Sequence, residues 1–245
     1  MIERQLDIPT ADGATTTFIS HPERGGPHPV ILFYMDAPAI REELRDMARR
    51  LASVGYYVML PNLYYRSGVM EIGPLSGPDV EALRARMFGF MNSLTIPLIM
   101  SDTKGLLAFA DADPAASRGP IGAVGYCMSG QYAINAATHF PRVTAAASIY
   151  GVRLVTDEPD SPHLAGAKTK AELYFGCAEI DAYAPLEMLP PLRQALADAG
   201  ATAEVELYPG VHHGFAFPQR PVYDRDAAER HWERLFALFG RRVRP

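Results

Sequence analysis

The ten residues from Ile121 to Gly130, Ile-Gly-Ala-Val-Gly-Tyr-Cys-Met-Ser-Gly, constrain this chain more than any other stretch. An apolar run of strand length enters a turn flanked by small residues and then a helix. For a strand to pass so abruptly into a helix, the residue at the apex, Cys127, must adopt a strained backbone conformation. That conformation is tolerated only where the residues two before and two after are small, and Gly125 and Ser129 meet the requirement. The Cys127 side chain is then expected to stand above the end of a sheet. The N–H of Met128, at the start of the helix, would be free to donate to an oxyanion, and the helix dipole would favour a thiolate. Centring the same turn on Ser129 fails, because Gln131 would occupy a place that needs a small residue.

Five further apolar runs bounded by Gly, Pro or polar residues read as strands: Val30 to Tyr34, Tyr57 to Leu60, Ala145 to Tyr150, Ala171 to Gly176 and Ala203 to Tyr208. An antiparallel start precedes them, with Gln5 to Pro9 and Thr15 to Ser20 flanking Ala11-Asp12-Gly13. Between the runs, apolar residues recur at helical spacing: Ile40, Leu44, Met47 and Leu51; Leu83, Met87 and Phe90; Leu106 and Phe109; Leu186, Leu189, Leu192 and Leu196. The leucine stripe begins after Pro185, ends at Gly200, and reads as core. A last helix near Asp224 to Phe239 packs Ala228, Trp232, Leu235 and Phe239. This alternation predicts an α/β fold, a doubly wound, mostly parallel sheet in a single domain spanning 1–245.

Asp181 follows the fifth of these runs beyond the hairpin, and His213 the sixth. The chain order nucleophile, acid, histidine is that of triads built on such a turn, with acid and base on loops at the carboxyl ends of later strands. The acid fixes the imidazole tautomer; the histidine takes the thiol proton and later returns one to the leaving group. His212 competes with His213, and Glu179 with Asp181, by adjacency alone.

Gly-Tyr-Cys-Met-Ser-Gly, the Asp181 loop and His213-Gly214-Phe215 are together similar to the dienelactone hydrolase family. Val30 to Pro38 with the helix after it, and Gly55 to Arg66, resemble the family's first core strands. The resemblance implies an α/β-hydrolase fold, a Cys127–His213–Asp181 triad, and an oxyanion hole from the N–H groups of Ala37 and Met128. It favours His213 over His212 and Asp181 over Glu179. It implies a small-molecule ester, lactone or thioester substrate and calls for no metal or cofactor. Two positions depart from the family. A glutamate that restrains the resting thiol is replaced by Asp36, one methylene shorter. An arginine that clamps the substrate carboxylate, four residues past the histidine, is replaced by Phe217.

The loop from Arg66 to Pro78, holding Gly68, Gly73, Pro74 and Gly77, is expected to overhang the strand ends, making Tyr64, Tyr65, Arg66, Arg84 and Arg86 candidate substrate contacts, and Phe217, an apolar ring beside the histidine, is another. A net charge of -5 supplies no basic stripe for nucleic acid, and no apolar run is long enough to span a membrane. With no signal sequence and only Cys127 and Cys177, the chain is expected to be cytoplasmic, Cys177 being a core residue. Two other classes stay open on these residues: a redox-responsive thiol protein on the same fold, and a binding scaffold without turnover.

Overall fold

The computed structural model describes residues 1–73 and 77–244, so Pro74 of the expected loop lies outside the described residues. Eight strands form one sheet: β1 (Ile2–Thr10), β2 (Gly13–His21), β3 (Val30–Tyr34), β4 (Tyr57–Pro61), β5 (Ile121–Tyr126), β6 (Val143–Ile149), β7 (Glu172–Ile180) and β8 (Ala203–His212). The order is β1-β2-β4-β3-β5-β6-β7-β8. The β1–β2 hairpin and the β2–β4 pairing are antiparallel, and every pairing from β4 through β8 is parallel. With its eight strands flanked by helices, the chain has the expected α/β-hydrolase architecture.

Every residue of β3, β4 and β5 is buried, as their continuous apolar runs require when helices cover both faces. The helices are α1 (Glu42–Ala52), α2 (Val80–Ser93), α3 (Ile96–Ala112), α4 (Gly130–His139), α5 (Pro162–Gly166), α6 (Leu189–Asp198) and α7 (Arg225–Arg242). Helix α1 buries Leu44, Met47 and Leu51, and α7 buries Ala228, Trp232, Leu235 and Phe239, the stripes read from the sequence. Thr95 caps α3 and Asp224 caps α7, each side chain accepting a hydrogen bond from a backbone N–H of the first turn.

Leu186 departs from the expected core stripe. Helix α6 starts only at Leu189, with Pro190 in its first turn, while Leu186 sits in a preceding 3-10 turn and is exposed. Helix α2 fully buries Met87 of its expected stripe, while Leu83 and Phe90 are partly buried and pack against the core.

Candidate active site

The carboxyl ends of β3, β5, β6, β7 and β8 converge, and each contributes a residue. Cys127 follows β5 directly and has φ +54°, the strained conformation expected at the apex. Two close contacts enforce the turn. A Cβ on Gly125 would lie 2.0 Å from the Ser129 carbonyl oxygen, so no other residue fits there. The buried Ser129 hydroxyl donates to the Met35 carbonyl, tying the turn to the end of β3 and removing that hydroxyl from chemistry. Cys127 itself is half-buried.

His213 stands just past β8, and its Nδ1 lies 2.7 Å from Asp181 Oδ2. The other carboxylate oxygen, Oδ1, accepts from the backbone N–H groups of Tyr183 (2.9 Å) and Ala184 (3.0 Å), so the acid is fixed by its own loop. With Nδ1 as donor to Asp181, Nε2 is the nitrogen left to exchange a proton; it is buried and has no hydrogen-bond partner among the described residues. Burial alone would lower the His213 pKa, but the charge of Cys127 and the bond to Asp181 raise it to about 9. Hydrogen bonding from the Cys127 side chain adds to the effect of its charge, through the loose contact common in an unliganded site. His212, by contrast, is exposed. Glu179 accepts from the Gly210 N–H and plays no part in holding the imidazole.

This cause has a measurable consequence. In Cys127→Ser, or after alkylation of the thiol, the His213 titration followed by NMR is expected to fall from about 9 toward the ordinary imidazole range. The sign for stability follows by linkage. His213 holds its proton more tightly when folded, so its contribution is complete below about 6.5 and is lost as pH rises through about 9. Thermal midpoints measured across that window in wild type and Cys127→Ser should diverge most at its acid end.

Asp36 lies on the loop after β3 as expected, but its carboxylate does not offer a free oxygen to the thiol. It is fully buried and takes two hydrogen bonds from Arg41 (2.6 and 3.1 Å) and one from Arg220 (2.6 Å). Two guanidinium groups within reach of a buried carboxylate take up its acceptor oxygens with charge-assisted hydrogen bonds. Arg41 also pairs with Glu43, whose other oxygen accepts from the Gln219 N–H, linking the Asp36 loop to the segment after His213. Phe217 is likewise corrected: it is buried beneath this cluster, with the Arg41 and Arg220 guanidiniums each 4.9 Å from its ring centroid, rather than lining a pocket.

Of the other candidate contacts, Tyr64 is at the site. Its hydroxyl donates to the Ala37 carbonyl at 3.0 Å and lies 3.2 Å from Met128 Sδ, between the two segments expected to bind an oxyanion. Tyr65 and Arg66 point elsewhere, bound to Asp102 of α3 and, respectively, to Thr10 and Asp12 of the N-terminal hairpin, because the buried Asp102 carboxylate requires a cation. Arg84 is exposed and pairs with Glu81 along α2.

Tyr150 was not among the expected site residues. It follows β6 with φ +37°, and its buried ring lies 5.0 Å from that of His213. Its position one residue past a strand end was the available signal. Cys177 is buried, and burial pushes its thiol up to about 12, which leaves it inert. Among the described residues there is no group of three or more His, Cys, Asp or Glu that could hold a metal ion, and no helix is long and apolar enough to cross a membrane.

The sequence pattern of the Dienelactone hydrolase family matches residues 15–243. A carboxymethylenebutenolidase of Methylorubrum extorquens is 29% identical over 239 residues, 96% of this chain and 79% of that protein. A dienelactone hydrolase crystal structure from Klebsiella pneumoniae superposes with a TM-score of 0.85 at 26% identity, covering 98% of each chain. Both relatives carry the qualifier "Putative" in their names. The dienelactone hydrolase-like phosphotriesterase P91, from metagenomic libraries, shares the fold, with a TM-score of 0.79 at 17% identity over 98% of each chain.

Proposed function

Since this chain belongs to the dienelactone hydrolase family, we propose that it hydrolyses small-molecule carboxylic esters or lactones through an acyl-enzyme on Cys127. One observation carries this reading: the strained Cys127 and a partnerless, buried His213 Nε2 share one end of the sheet, with Nδ1 anchored on Asp181. The names of the two relatives above and the family's chemistry support the same reading.

In this mechanism the thiol proton passes to His213 Nε2 and the sulfur attacks the carbonyl carbon. The carbonyl π pair moves onto oxygen, giving an oxyanion held by the N–H groups of Ala37 and Met128. The Met128 N–H lies in the first turn after β5, where backbone donors have no intrahelical acceptor. Collapse breaks the bond to the alcohol oxygen, which takes the proton from Nε2; an imidazolium stable to about 9 is a competent donor. Water then gives a proton to the neutral imidazole and attacks the thioester, and a second collapse expels the Cys127 sulfur. Because a thiolate leaves more readily than an unprotonated amine, esters are cleaved in preference to amides.

The test is a panel of small lactones and aryl esters with intact-mass detection of Cys127 quenched at short times. An acyl adduct in the wild type, and neither adduct nor turnover in Cys127→Ala, is the expected result. Undiminished turnover in Cys127→Ala would refute it.

A further inference from the structure

Three of the exposed large apolar side chains, Ile180, Tyr183 and Leu186, fall within seven residues, from the last residue of β7 through the loop after it to the 3-10 turn before α6, with exposures of 48%, 54% and 40%. Isolated exposed apolar residues need no explanation, but Tyr183 borders the site itself, its ring against that of His213. This loop also carries Asp181.

Tyr183 is held in place. Its backbone N–H donates to Asp181, and its ring meets the His213 ring edge-on at 5.0 Å and 66°. Across from it, 6.2 Å away, is the ring of Phe88 on α2. That helix fully buries only Met87 among its described residues, while Phe90 packs on Tyr64 at 5.5 Å and Asn92 accepts from Arg153 at 2.7 Å. The helix is thus anchored by aromatic and polar contacts as well as by the partly buried Leu83, Phe88, Phe90 and Met91, which pack against the core.

Resting on the reading above, we propose that Tyr183 and Phe88 form an aromatic clamp for the alcohol half of the substrate. The site would then select esters and lactones whose leaving oxygen bears an aromatic group: a phenol or a benzylic alcohol. The chemistry fixes which half is read. To take the proton from His213 Nε2, the leaving oxygen must come within hydrogen-bond reach of it. Of the two rings that border His213, Tyr150 is buried and Tyr183 is exposed, so the first substituent lies beside Tyr183. A flat π group gains offset or edge-to-face contact with both rings, and a saturated ring of similar size does not.

Benzyl acetate and cyclohexylmethyl acetate share an acyl group and differ little in bulk, so the ratio of their kcat/KM values reads the clamp. We expect wild type to favour benzyl acetate by about threefold to tenfold. Tyr183→Phe should keep that ratio, while Tyr183→Ala and Phe88→Ala should bring it toward one. Methyl benzoate and methyl cyclohexanecarboxylate, which vary the acyl half, should show no comparable preference. A wild-type ratio near one, a ratio that survives Tyr183→Ala, or a preference confined to the acyl series would each overturn the clamp. If either acetate acylates Cys127 while the ratio fails, the hydrolase reading stands without the clamp. If even phenyl acetate leaves Cys127 unacylated, both fall.

Discussion

Replacing His213 with alanine is expected to lower kcat/KM for an ester substrate by about 10³-fold or more, with the protein still folded. Two functions disappear together. The imidazole receives the thiol proton and delivers one to the leaving oxygen, and its positive charge also steadies the neighbouring thiolate, the reciprocal of the effect by which Cys127 raises His213. Added imidazole should restore part of the activity, because the substitution leaves a space beside Cys127 and Asp181. Asp181→Asn tests the anchor: it still accepts from the Tyr183 and Ala184 N–H groups through Oδ1 but weakens the grip on Nδ1. Its loss should appear mainly in kcat, with the His213 titration lowered. A His213→Ala variant at wild-type rate would move the base elsewhere, His212 being the adjacent candidate.

The fold was legible where burial leaves a chain one choice. Val30–Tyr34 is apolar at every position, and a five-residue run of that kind between polar segments has few fates other than a covered strand. The elbow was legible because sterics restrict it: Gly125 admits no Cβ. Asp181 and His213 could be found because each sits just after a strand, and all parallel strands end on one side. Residues whose role depends on partners remote in the chain were less legible. Asp36 is 184 positions from Arg220, and Phe217 lies under a cluster assembled from two loops. Tyr65 and Arg66 directly follow Tyr64, yet they turn to Asp102 on α3. Leu186 kept its leucine spacing but lost its helix, because α6 begins three residues later.

Asp36→Asn is expected to have the second large effect, on stability before catalysis. The carboxylate accepts from Arg41 and Arg220 in a fully buried position. An asparagine supplies one acceptor and turns two N–H donors toward guanidinium groups that are themselves only donors. Unpairing a buried charge costs about 3–5 kcal/mol. The low end applies here, since Arg41 keeps Glu43 and the Arg220 side chain is 24% exposed. For a domain of this size, about 3 kcal/mol corresponds to a melting temperature lower by roughly 10 °C. The thiol should respond as well. Burial pushes the Tyr150 phenol well above its ordinary range, and the charges of Arg220, Asp36 and Cys127 all act on it, so these groups share one electrostatic neighbourhood. Losing the carboxylate leaves Arg220 uncompensated, and iodoacetamide should then alkylate Cys127 faster at neutral pH. Direct restraint of the thiol by Asp36 would give the same acceleration, so the single variant does not separate the two causes. Asp36→Asn combined with Arg220→Gln does. If Asp36 acts by balancing Arg220, the double variant returns the pH profile of alkylation to that of wild type. If it acts on the thiol itself, the acceleration persists when the arginine charge is gone.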